Sequence, residues 1–153
     1  MVQIGKKAPD FKLTADNGKI YSLKDFKGKK IILYFYPKDN TSGCTKEACG
    51  FKDNIKIFNS KNVIILGISR DSTESHIKFK EKFNLPFNLL TADSMEILEE
   101  YDVWKEKSLY GRKYMGIERS TFMIDETGKI TEIFRKVKVN GHIKELIENI
   151  DKQ

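Results

Sequence analysis

Two cysteines five positions apart, Cys44 and Cys49, are the residues whose type and spacing point to chemistry. Cys44 follows an apolar run, KIILYFY from Lys30 to Tyr36, and the loop KDNTSG. It sits at the start of a helical pattern running from about Gly43 to Asn59. At about 100° per residue, its side chain shares a face with Ala48, Phe51, Ile55 and Phe58. The thiol therefore points along the core-facing stripe from the helix's first turn. That turn carries N–H groups without intrahelical partners and the positive end of the helix dipole. Such a place favours thiolate over thiol and receives developing negative charge. A small buried hydrophobe is the alternative for any free cysteine. The second cysteine shifts the balance toward chemistry.

Cys49 lies about 140° around the helix from Cys44 and about 7.5 Å further along it, which sets the two Cα atoms roughly 8.7 Å apart. A disulfide tolerates about 7 Å, so the pair can bridge only if the first turn or two unwinds. The spacing predicts a two-step cycle, with chemistry at Cys44 in the folded site and then local unfolding that lets Cys49 attack. A bystander thiol remains the alternative for Cys49.

The flanking elements set where this pair must sit. Phe11–Leu23 reads as a hairpin around Asn17-Gly18. Lys30–Tyr36 and Val63–Ser69 read as strands covered on both faces. Asp71–Phe83 is an amphipathic helix opened by Asp71 and Ser72, Phe87–Leu90 a short strand, and Ser94–Tyr101 a short helix capped by Ser94. Val103–Ile117 reads as irregular, Arg119–Asp125 and Lys129–Phe134 as a hairpin, and Gly141–Ile150 as a closing helix. This order predicts an α/β, thioredoxin-like fold: a central mixed β-sheet flanked by helices, with an added N-terminal β-hairpin.

Composition bounds the rest. At 153 residues with no linker or repeat, the chain reads as a single domain spanning 1–153. A chain of this length buries roughly 70% of its unfolded surface, so its core needs no disulfide or zinc staple. No stretch approaches the roughly 18 apolar residues of a membrane span. Met1–Lys12 lacks the apolar segment of a secretory signal. Two cysteines do not make a secreted disulfide scaffold, so the expected compartment is the cytoplasm.

The net charge of +6 comes mostly from lysines that alternate with acids, and the four arginines are Arg70, Arg112, Arg119 and Arg135. That pattern is a solvated surface rather than a nucleic-acid face, which leans on clustered arginine. His76 and His142 are not at metal-ligand spacing with each other or with the cysteines, and both read as exposed helix residues; no metal site is expected. Packing is the expected role of Trp104, Tyr110 and Tyr114. No phosphate-cradling glycine loop or dinucleotide fingerprint is present, and the chemistry calls for no cofactor beyond the protein's thiols.

The segment YPKDNTSGCTKEACGF, residues 36–51, resembles the active-site signature of the peroxiredoxins, with the C-x4-C spacing of the bacterioferritin comigratory protein (peroxiredoxin Q) group. The stretch VWKEKSLYGRKYMGIERSTFMID, from Val103 to Asp125, is also similar to that group, and the likeness runs essentially end to end. The resemblance implies that Cys44 is the peroxidatic cysteine and Cys49 the resolving one. It also implies that Pro37 and Thr41 belong to the active-site loop and that Arg119 is the active-site arginine. The family pattern carries proline where this chain has Ser42. Glu47, one turn after Cys44, either orients Arg119 or is an ordinary solvated carboxylate. Thr41 serves as helix N-cap, as peroxide donor, or as both.

The implied activity is reduction of hydrogen peroxide and organic hydroperoxides. Cys44 would pass through a sulfenic acid to a Cys44–Cys49 disulfide, re-reduced by thioredoxin or a similar dithiol protein. Neither nucleic acid nor a membrane is implied as partner, and the chain would be a monomer or weak homodimer. Two rivals stand beside this. A thiol–disulfide oxidoreductase acting on proteins would prefer C-x-x-C and has no use for Thr41 and Arg119 as donors. A basic, non-enzymatic binding module would bind in a salt-sensitive way that survives Cys44→Ser.

Overall fold

The computed structural model describes residues 2–152. The run KIILYF forms β3 (Lys30–Phe35), and VIILGIS forms β4 (Val63–Ser69), paired parallel to it from Lys30–Val63 to Phe35–Ile68. Branched and aromatic side chains suit strands covered on both faces. Odd residues of β3, Ile31, Leu33 and Phe35, enter one core with Leu66, Tyr101 and Phe122. The even residues Ile32 and Tyr34, with Tyr36 just past the strand, enter a second core with Cys44, Phe51, Phe79 and Leu146. Gly67 lies opposite Tyr34, and a Cβ there would meet the Tyr34 ring at 2.9 Å. The Tyr34 side chain thus requires a glycine beside it.

Seven strands make one mixed sheet in the order β2-β1-β5-β4-β3-β8-β9. The hairpin β1 (Leu13–Ala15) and β2 (Ile20–Tyr21) forms around Asn17-Gly18, as read, and joins β5 (Asn88–Thr91) at one edge. At the other edge β8 (Ser120–Ile124) pairs antiparallel with β3, and β9 (Ile130–Phe134) with β8. Helices α1 (Ser42–Asp53), α2 (Ile55–Ser60), α3 (Thr73–Phe83) and α5 (His142–Asp151) lie on the Tyr34 face, and α4 (Glu96–Glu100) on the Phe35 face. No helix among the described residues is long and apolar enough to cross a membrane.

The structure departs from the sequence reading in several places. The helix expected from Gly43 to Asn59 breaks at Asn54, whose side-chain amide donates to the Gly50 carbonyl at 2.9 Å and competes with the helical ladder. Ser94 does not cap α4; Met95 occupies the cap position without a side-chain bond. Val103–Ile117 is not irregular. It holds a separate two-stranded sheet, β6 (Trp104–Leu109) with β7 (Arg112–Ile117). Tyr110 and Gly111 turn it with φ of +52° and +77°, the two positive values of a primed hairpin turn. Trp104 packs against the Phe35-side core, but Tyr110 is 99% exposed and Tyr114 and Met115 are exposed beside it, against the packing role expected. Both histidines, read as exposed, are buried.

Candidate active site

The chain leaves β3 through Tyr36 and Pro37, crosses a short loop, and starts α1 at Ser42. Thr41 holds the N-cap position but makes no capping bond; its hydroxyl donates to the Lys38 carbonyl at 2.9 Å. The first helical bond runs from Thr45 N–H to the Thr41 carbonyl at 2.8 Å. The N–H groups of Ser42, Gly43 and Cys44 therefore precede the ladder and have no intrahelical acceptor. Ser42 takes the first helical position without a proline's help.

Cys44 is 2% exposed, inside the Tyr34-side core, with a free thiol. Among the described residues one polar side chain reaches its sulfur: Arg119, the residue before β8, donates from Nη2 to Sγ at 3.3 Å. The other arm of the guanidinium, Nη1, donates to Glu47 Oε1 at 2.6 Å. Glu47 is fully buried and is not the solvated carboxylate of the alternative reading. Burial pushes its carboxyl up to about 7 against the pull of Arg119, and Oε2 has no hydrogen-bond partner among the described residues. Burial works against the charge on Arg119, but Glu47 and Cys44 outweigh it and hold the guanidinium in its charged form. Beneath them burial, followed by the charges of Glu47 and Cys44, holds the Tyr34 phenol well above its ordinary range.

Gly43, placed by the sequence at the helix start, and Lys107, unremarked there, complete the surroundings. Gly43 lies under the guanidinium, where a Cβ would stand 3.1 Å from Arg119 Nη2. Lys107 of β6 is half-buried over Gly116; partial burial, then the charge of Arg119, pull its ammonium below its ordinary value, while Cys44 acts the other way. The glycine directly before a helix-start cysteine was a legible signal. Lys107 had none, because it depends on the hairpin's register.

Cys49 is half-buried on the same helix but faces elsewhere. It lines a groove with Lys46, Asp53, Val139, Asn140 and Ile143, where the Lys46 ammonium donates to the Asn140 side chain. A Cβ on Gly50 would meet Ile143 at 2.9 Å, so α1 and α5 are in close contact beside it. With both cysteines on an intact α1, the structure holds a dithiol whose members point into different surroundings. Pro37 is half-buried at the end of β3.

The arrangement can hold a sulfur anion beside a fixed cation and three open N–H groups, and it can receive negative charge that develops next to that sulfur. A model of the AhpC/TSA family matches residues 4–133. The chain belongs to the AhpC/TSA family. As a peroxiredoxin it is a thiol-dependent peroxidase. It is 52% identical over 149 residues to peroxiredoxin Bcp of Bacillus subtilis, covering 97% of this chain and 95% of that protein. Among solved structures, a cysteine-to-serine mutant of Xylella fastidiosa PrxQ superposes with a TM-score of 0.93 at 35% identity, covering 99% of this chain and 97% of that one. The Xanthomonas campestris bacterioferritin comigratory protein, whose crystal study concerns alkyl peroxide reduction, gives 0.88 at 36% identity, covering 93% and 90%. The resemblance of the chain to the peroxiredoxins and the thioredoxin-like reading of the sheet both stand.

Proposed function

We propose that Cys44 is the peroxidatic cysteine and Cys49 the resolving one, in a cycle that reduces hydrogen peroxide and organic hydroperoxides. The observation that carries this reading is the Arg119 guanidinium bridging Cys44 Sγ and Glu47 Oε1. The Cys44 thiolate attacks one peroxide oxygen, the O–O bond breaks, and the other oxygen leaves with the electron pair as alkoxide or hydroxide and takes up a proton. The product is Cys44 sulfenic acid. Cys49 sulfur then attacks that sulfur, expelling the hydroxyl oxygen as water and forming an intramolecular disulfide. A thioredoxin-like dithiol protein returns both thiols by exchange.

Charge stabilisation dominates the first step. A thiol of ordinary pKa, about 8.5, is already roughly 3% ionised at pH 7, so supplying more thiolate gains at most about 30-fold. A preorganised donor at the departing oxygen is worth about 10²- to 10³-fold. Arg119 and the open N–H groups of α1 are those donors. Thr41 spends its proton on Lys38 and offers lone pairs, so its part is to accept from the peroxide O–H rather than to donate as expected. Pro37 fixes the start of the loop and shields the sulfur from bulk water. Glu47 orients Arg119.

We assign the whole chain to one domain acting in the cytoplasm as a monomer or weak homodimer, and give no role to nucleic acid or a membrane. The test is stopped-flow mixing of reduced protein with stoichiometric peroxide. Thiol loss orders of magnitude faster than free cysteine supports the reading; loss no faster than free cysteine rejects it.

A further inference from the structure

Two buried titratable side chains, Asp39 and His76, take no part in the cycle above, yet they meet directly behind its loop. Asp39 is 7% exposed and His76 fully buried, with Oδ2 and Nδ1 2.7 Å apart. Nε2 of His76 lies 3.1 Å from the Leu90 carbonyl, which has only lone pairs, so Nε2 is the nitrogen that donates there. Nδ1 and the Asp39 carboxyl then share one proton between them. Asp39 accepts two further hydrogen bonds: Tyr36 donates to Oδ1 at 2.5 Å and Ser75 to Oδ2 at 2.8 Å. Its backbone N–H donates to Asp71 Oδ2 at 2.8 Å, which also accepts from Ser69 at 2.6 Å. One residue on, Asn40 stands at φ +61° and accepts from Lys82 of α3 at 3.2 Å.

Asp39, His76 and Asp71 present ligand atoms within 4.8 Å of one another, a spread that would suit a metal ion. Each of those atoms is already engaged by a hydroxyl, an N–H or the shared proton, so hydrogen bonding accounts for the cluster. The cluster connects three elements. Asp39 lies on the loop between Pro37 and Thr41, His76 and Ser75 on α3, and Leu90 on β5. A loop with one helix-start cysteine to aim has its midpoint fixed to α3 and, through His76, to β5.

We propose that Asp39 and His76 are positioning residues, a buried clamp that fixes the Pro37–Thr41 loop against α3 and β5. The clamp holds Thr41 and the open N–H groups of Gly43 and Cys44 where peroxide meets the sulfur. This rests on the peroxidase cycle proposed above. A displacement of about 1 Å in a catalytic array costs up to 10²-fold in rate. The clamp acts on the peroxide donors and leaves the reactivity of the bare sulfur alone, which separates it from a merely structural pair.

The test compares two second-order rate constants of Cys44, in proteins with Cys49→Ser so that a single thiol reports. One is with hydrogen peroxide; the other is with iodoacetamide, which needs a sulfur nucleophile but no oxyanion donor. His76→Leu is expected to lose about 10- to 100-fold toward peroxide and less than about 3-fold toward iodoacetamide. His76→Asn, whose amide reaches Asp39 from the Nδ1 position, recovers most of the loss, and His76→Gln, which reaches Leu90 instead, does not. Ser75→Ala, half-exposed and safe for folding, loses about 3-fold toward peroxide alone.

Equal losses with both reagents, or a folded His76→Leu protein as fast as its parent toward peroxide, overturn the clamp. If His76→Leu does not fold, an unchanged peroxide rate in Ser75→Ala overturns it. A parent protein no faster than free cysteine rejects the peroxidase cycle itself, a different and recognisable failure.

Discussion

Glu47→Gln isolates the most unusual electrostatic feature of the site. The Glu47 carboxyl is buried, one oxygen bonded to Arg119 and the other unpartnered, and its pKa is raised from 4.5 to about 7. A carboxyl raised on folding contributes its stability fully below the unfolded value, about 4.5, and loses it as pH climbs through the folded value, about 7. Between those limits the native state holds a proton that the unfolded chain has released. Stability then falls by about 1.4 kcal/mol per pH unit, or about 3 kcal/mol across the window. Glutamine keeps an acceptor for Arg119, buries an unpartnered N–H where the protonated carboxyl buries an unpartnered O–H, and has no proton to lose. The variant therefore gains about 3 kcal/mol on the parent between pH 4.5 and pH 8. Urea unfolding of the reduced proteins across pH 4.5–8, followed by Trp104 fluorescence, measures the difference. Two stability curves that run parallel across that range would refute the reasoning.

Three further outcomes follow from the geometry. Gly43→Ala places a Cβ 3.1 Å from Arg119 Nη2, so the guanidinium must yield by a few tenths of an ångström. Peroxide oxidation slows about 10-fold while thermal stability is unchanged or improved, since alanine suits a helix better; an undiminished rate contradicts the contact. Cys49→Ser, treated with one equivalent of peroxide, gains one oxygen atom in its mass and reacts with a sulfenic-acid probe at Cys44. An unaltered mass or a disulfide-linked dimer as the main product contradicts the division of roles. Disulfide formation in the unsubstituted protein requires α1 to fray, so oxidation raises amide exchange from Ser42 to about Phe51 above that of the reduced protein. Protection that stays equal in both redox states argues against the unwinding step.

Much of the site was legible because it is local. A β-rich run, a polar loop and a cysteine at a helix start are contiguous in sequence, and the helical stripe through Ala48 and Phe51 put the thiol toward the core, as found. What stayed open depended on distant partners. Glu47 fitted either a solvated or an orienting role until Arg119, remote in sequence, reached it from the start of β8. His76 and His142 read as surface residues because an amphipathic pattern cannot reveal that a polar side chain has a buried partner. Those partners are Asp39 and the Leu90 carbonyl for His76, and Thr121 at 2.9 Å for His142. Burial, against the pull of Glu145, holds His142 below its ordinary value. The β6–β7 hairpin escaped notice because Tyr110 takes a positive φ that side chains other than asparagine, aspartate and glycine rarely adopt.

The central claim is that a fixed guanidinium, rather than thiolate supply, drives O–O cleavage, and Arg119→Ala tests it most directly. In a Cys49→Ser background, the second-order rate constants of Cys44 with hydrogen peroxide and with iodoacetamide are measured side by side at pH 7. The account predicts that peroxide oxidation falls at least about 10²-fold while alkylation changes no more than several-fold. Equal losses with the two reagents would contradict it, because the guanidinium would then be doing no more than ionising the sulfur.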